Sequence, residues 1–163
     1  LTINSTGKTF SMTGWKIGYA IGPARLNAAL RAAHQFIVFA TATPFQEAMG
    51  EAIERAATDG YYQTLHYEYA QRRDRLRSAL SDAGLDPLPC QGSYFLLADI
   101  TRWGFDNDVE FCRYLAREVG VAAIPPSAFY LDPDSAPPLA RFCFAKKLET
   151  IDAAAERLIA RRP

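Results

Sequence analysis

At Gly84 the sequence changes rhythm. Before it, from Tyr61 to Ala83, the residues Tyr61, Leu65, Tyr69, Leu76 and Leu80 fall on one stripe at helical spacing. Glu68 and Arg72 form an i,i+4 pair on that helix, contributing ~0.3–0.5 kcal/mol. Gly84 stops the pattern, and the run GSYFLLADI (Gly92–Ile100) then reads as a strand. A helix of this length is either a strut between two lobes or an ordinary surface helix, and the pattern alone leaves both open.

The residues beyond the strand continue in alternation. Asn107 and Glu110 fit an N-cap and its N3 partner. Val109, Cys112, Leu115, Ala116 and Val119 follow at helical spacing until Gly120. VAAIP and LARFCFA read as strands on either side of the proline-rich loop PPSAFYLDPDSAPP. Ile151, Ala155, Leu158 and Ile159 mark a last helix. Strand, helix, strand, strand, helix predicts a small α/β layer structure over residues 85–163.

The region before the long helix is organised differently. Leu1–Asn4 and Ile17–Ile21 read as short strands flanking a glycine-rich turn. Pro23 sits at the first position of a helix carrying Leu26, Leu30, Ala33 and Ile37. TPFQ (Thr43–Gln46) predicts a capping box, with Thr43 as the cap and Gln46 reaching back. Ala48, Met49, Ala52, Ile53 and Ala56 follow on one side, and Thr58–Gly60 ends that helix. The predicted boundaries are therefore residues 1–60, a connecting helix at 61–84, and 85–163.

Composition narrows the function. The 163 residues suit one domain or two small ones, and 49% are apolar, enough to form a core. Eighteen Lys and Arg balance eighteen Asp and Glu, so there is no basic footprint for nucleic acid or an acidic membrane. No apolar run reaches the length of a membrane span. Cys90, Cys112 and Cys143 are odd in number, show no C-x-x-C spacing and have only two histidines for company. Neither a metal site nor a disulfide framework is expected; buried, reduced thiols in a cytoplasmic protein are. His34 and His66 sit in helical patterns and receive no catalytic role. Because LTINSTGK already runs from a strand into a loop, the chain is expected to be a piece of a longer polypeptide.

The stretch STGKTFSMTGWKIGYAIGP (Ser5–Pro23) carries the chemistry. Its GKT resembles the end of a phosphate-binding P-loop, but the first glycine of that motif would fall at Thr2. A P-loop also needs a helix directly after the lysine, whereas Gly14, Gly18 and Gly22 among aromatic and β-branched residues predict a turn and a strand. Lys8 is then either a solvated loop lysine or a reactive amine. Arg141, alone in the apolar LARFCFA, is either snorkelling at a strand edge or placed to receive an anion.

These segments together resemble a known family. STGKTFSMTGWKIGYAIGP is similar to the cofactor-lysine segment of fold-type I, class I/II aminotransferases, which use pyridoxal 5'-phosphate (PLP). QGSYFLLADI, VAAIPPSAFY and LARFCFAKK resemble the small-domain strands of that family, in the same order. Within the family, Gly7–Lys16 most resembles the kynurenine/glutamine, methionine and N-succinyldiaminopimelate aminotransferases. The resemblance implies an α/β fold, the C-terminal part of a fold-type I PLP-transferase: the end of a large domain, a long linking helix and a small domain.

It also implies roles. Lys8 would form the Schiff base with PLP and shuttle the substrate proton. Lys16 would bind the cofactor phosphate as a point charge, where many class I members carry arginine. Ser5 would contact the same phosphate, or is a plain turn serine. Arg141 would grip the substrate α-carboxylate with its planar fork. Phe39 would line a partner subunit's pocket, or is a core residue; Tyr94 and Tyr130 are expected to pack nearby. Amino acids and 2-oxo acids are the implied substrates, and a homodimer the implied assembly.

The family's ring-stacking aromatic, its asparagine and tyrosine, and its aspartate for the pyridine nitrogen all precede the lysine by many residues and are not in this chain. The isolated chain is therefore expected to bind PLP weakly and to lack useful transaminase activity. Another PLP reaction, such as β-elimination from cysteine conjugates, and a non-catalytic α/β interaction module are the remaining alternatives.

Overall fold

The computed structural model describes residues 1–163. They form two compact units, Leu1–Tyr62 and Gln63–Pro163.

In the first unit, β1 (Thr2–Ser5) runs into a single helical turn, α1 (Thr6–Thr9), then a 3-10 turn at Thr13–Trp15, and returns as β2 (Gly18–Ile21). The two strands pair antiparallel, with Thr2 opposite Ile21 and Ser5 opposite Gly18. Two helices follow, α2 (Ala24–Ile37) and α3 (Thr43–Ala56). Aromatic side chains fasten the loop ends. Trp15 stacks on Phe45 at 4.8 Å, and Phe10 stacks on Tyr61 at 5.3 Å. The Tyr61 hydroxyl donates to the Thr9 carbonyl at 2.6 Å.

The long helix α4 (Tyr61–Asp82) begins at the end of this unit and buries Leu76, Ala79 and Leu80 in the second. Gly84 ends it at φ +79°, a conformation that L side chains rarely adopt. The sheet beyond has the order β3 (Asp86–Pro87), β4 (Phe95–Asp99), β5 (Leu139–Cys143), all antiparallel. Alternation divides its faces. Leu96, Ala98, Ala140 and Phe142 are buried among residues of α4, α5 (Asp108–Tyr114) and α6 (Leu148–Ile159), including Leu80, Phe111, Ile151 and Leu158. Phe95, Leu97 and Arg141 alternate to the other face. Trp103 closes the core edge by donating its indole N–H to the Ala83 carbonyl at 3.0 Å.

Several local expectations are corrected. Thr43 is the first residue of α3 and no side chain caps that helix; the Gln46 amide reaches back to the Thr41 carbonyl at 2.9 Å. Pro44 in the first turn has no N–H and so needs no acceptor, which lowers the demand for a cap. VAAIP contributes only a bridge at Ile124 to β5, because Pro125 and Pro126 supply no N–H to extend a ladder. Pro87 marks a short edge strand that periodicity did not predict. The apolar spacing of α2 buries nothing: Leu26 and Leu30 are exposed, and Phe36 is 86% exposed. The three cysteines are free, yet only Cys112 is buried; Cys90 is half-buried and Cys143 exposed. Tyr130 is exposed, while Tyr94 packs against the core beside Phe95. No helix is long and apolar enough to cross a membrane.

Candidate active site

The loop between β1 and β2 is closed by one residue. Thr6, buried, donates its amide to the Ile17 carbonyl at 3.1 Å and its hydroxyl to the same oxygen at 2.9 Å. Inside that tie the Met12 amide donates to the Gly7 carbonyl at 2.9 Å. A Cβ on Gly7 would lie 3.1 Å from the Thr13 Cα, so the chain crosses itself where a side chain would intrude. Lys8 and Lys16 both lie between Thr6 and Ile17, and both are exposed. Lys16 takes a left-handed conformation, φ 56° and ψ 35°, which is uncommon for a residue with a Cβ. Ser5 is the N-cap of α1: its hydroxyl oxygen accepts the Gly7 amide at 3.2 Å, leaving its O–H free to donate. One short loop thus carries two ammonium groups and a hydroxyl donor, a set suited to a ligand that bears both an anion and an amine-reactive carbon.

Arg141 lies in the second unit, on the sheet face turned from the core. Its guanidinium sits 4.9 Å from the centre of the Phe95 ring and 5.1 Å from that of Phe129. Aromatic rings attract the cation but satisfy none of its planar donors. The guanidinium makes no ion pair or side-chain hydrogen bond within the chain. Its backbone exchanges two bonds with Ile124, each 3.0 Å. The guanidinium is thus half-buried and ring-held, with its planar donors uncommitted within the chain. Phe39, just beyond α2, is 86% exposed in this chain, with φ 67°.

Thr6, Phe95, Phe129, Asp108 and Ser127 carry no signal in the sequence that marks them as functional. Thr6 and Ser127 look like ordinary turn residues, and Phe129 stands in a loop without periodicity. Asp108 resembles a helix-start acid, yet it is buried and accepts both the amide and the hydroxyl of Ser127 at 2.7 Å.

An antiparallel sheet backed by helices, joined through a long helix to a lysine-bearing hairpin loop, is the C-terminal part of the α/β fold of fold-type I PLP enzymes. The family model for aminotransferase class I and II matches residues 1–158. The chain belongs to that family, whose members are PLP-dependent. It is 46% identical to the methionine aminotransferase of Escherichia coli over 97% of its own length and 40% of that protein's. It is 40% identical to the kynurenine--oxoglutarate transaminase of Dictyostelium discoideum, covering 98% of this chain and 41% of that one. The solved N-succinyldiaminopimelate aminotransferase of Mycobacterium tuberculosis superposes with a TM-score of 0.88 at 43% identity, covering 98% of this chain and 41% of the other. The chain thus spans about two fifths of the length of these relatives.

Proposed function

We propose that this chain is the C-terminal part of a PLP-dependent aminotransferase that moves an amino group between an amino acid and a 2-oxo acid. The carrying observation is the Thr6–Ile17 tie, which holds Lys8 and Lys16 on one tightly crossed loop directly after Ser5. When bound, PLP supplies an aldehyde that takes up amino groups and a ring that draws electrons from the substrate Cα.

Each residue has a role in this reading. Lys8 would hold the cofactor through its amine, and the same amine would move the proton at the substrate Cα. Lys16 would hold the phosphate as a point charge, and the Ser5 O–H would donate to it. Arg141 takes the substrate α-carboxylate, with Phe95 and Phe129 keeping the guanidinium plane in place. Phe39 lines the pocket of a second copy in a homodimer; the exposure of Phe36, Ile37 and Phe39 around the end of α2 supports such a contact. Residues 1–60 end the large domain, 61–84 form the linking helix, and 85–163 make the small domain. The free thiols suit a cytoplasmic location.

Lys8→Ala in the full-length enzyme tests the reading. Transamination should vanish while the fold survives; wild-type turnover in that variant would refute the assignment of Lys8.

A further inference from the structure

Asp108 is 5% exposed and makes no ion pair. It does not cap α5, because Asn107 does so by accepting the Glu110 amide at 2.9 Å. A buried carboxylate without a cation is costly unless hydrogen bonds satisfy it. Asp108 directs both oxygens to Ser127, whose amide donates to Oδ2 and whose hydroxyl donates to Oδ1, each at 2.7 Å.

Ser127 lies within the 3-10 turn Pro126–Phe129. That turn ends on the ring lying 5.1 Å from the Arg141 guanidinium. Upstream of it, Ile124 is bonded twice to the Arg141 backbone. The segment is therefore pinned at Ile124 by β5 and at Ser127 by Asp108, and Phe129 follows directly. Without the second pin, two prolines and an exposed phenylalanine would have no polar anchor.

We propose that Asp108 and Ser127 are positioning residues for amino-acid recognition: the buried pair sets the turn that holds Phe129 against Arg141, and so aims the guanidinium. This rests on the assignment of Arg141 to the substrate α-carboxylate.

The test uses the full-length enzyme with Asp108→Asn, Ser127→Ala, Ser127→Thr and Arg141→Ala. Asparagine keeps the size of Asp108 but cannot accept both bonds, and Ser127→Ala removes one donor. Each should raise KM about tenfold for every amino donor, by a similar factor, since a charge-assisted bond is lost. Turnover should change less than about threefold, and PLP affinity should hold. Hydrogen exchange at residue 127 should accelerate in Asp108→Asn. Ser127→Thr, which keeps both donors, should remain near wild type. If Arg141→Ala raises KM while Asp108→Asn and Ser127→Ala do not, the positioning role is wrong. A loss spread equally over KM, kcat and PLP affinity would also overturn it, as general damage. If Arg141→Ala leaves KM unchanged, it is the carboxylate reading that fails. Should Asp108→Asn not fold, Ser127→Ala decides by the same readouts.

Discussion

Thr6 closes the lysine loop by giving Ile17 both its amide, at 3.1 Å, and its hydroxyl, at 2.9 Å. Two donors on one buried residue converge on one carbonyl, and Lys8 and Lys16 lie within the span they close. Thr6→Val keeps the shape and the amide bond but removes the hydroxyl. The loss should cost about 1 kcal/mol of stability. Loosening the loop should also weaken PLP binding roughly fivefold in the full-length enzyme. Denaturant unfolding and a cofactor titration measure the two effects, and unchanged PLP affinity would separate the tie from the site.

Lys16 combines a charge with a strained backbone, φ 56°. Lys16→Ala should weaken PLP binding and slow the cofactor-saturated half-reaction much less. Lys16→Gly should lose the same affinity yet unfold later than Lys16→Ala, because glycine accepts a positive φ without a steric cost, a difference of about 1 kcal/mol. Lys16→Arg should retain most affinity. A dissociation constant for PLP that is identical in wild type and Lys16→Ala would exclude the phosphate role.

Arg141 should distinguish recognition from chemistry. Arg141→Ala should raise KM for all amino donors by a similar factor, about tenfold or more for the loss of a charge-assisted pair. Arg141→Lys should rescue little, since an ammonium lacks the fork and stacks poorly between Phe95 and Phe129. Amines without a carboxylate should react no worse in the variant than in wild type. Lost PLP binding with an intact preference for amino acids would reverse this assignment.

What the sequence revealed follows from how local each signal is. The helix from Tyr61 and the strand around Leu96–Ala98 were legible because periodicity alone specifies them, and Gly84 announced the break. Asn107 was legible as a cap because its partner lies three residues on. Thr43 misled because Pro44 and an unassisted start at Ala42 serve equally well. VAAIP has strand-forming residues, but two prolines limit its pairing to one bridge. Lys8, Lys16 and Arg141 stood out through a family pattern. Phe129 and the Asp108–Ser127 pair did not, because their meaning lies in contacts between segments far apart in sequence.

The cysteines offer a check on the second unit. Cys143 is exposed and Cys112 buried, so a thiol reagent should modify Cys143 in the native chain and reach Cys112 only on unfolding. Burial, with the Asp108 charge adding to it, pushes the Cys112 thiol up to about 12. The folded state therefore holds that proton where the unfolded chain releases it. This contribution is complete below the ordinary thiol range and is lost as pH rises from about 8.5 toward 12. Cys112→Ala should unfold more easily than wild type at pH 7, and the gap should narrow in alkali. A gap that stays constant with pH would contradict this.

On the proposed function, Lys8 carries the cofactor. Borohydride reduction of the full-length enzyme with PLP, followed by peptide mass spectrometry, tests it most directly. A reduced pyridoxyl adduct is expected on Lys8 and none on Lys16, Lys146 or Lys147. An adduct on another lysine with Lys8 unmodified would contradict it.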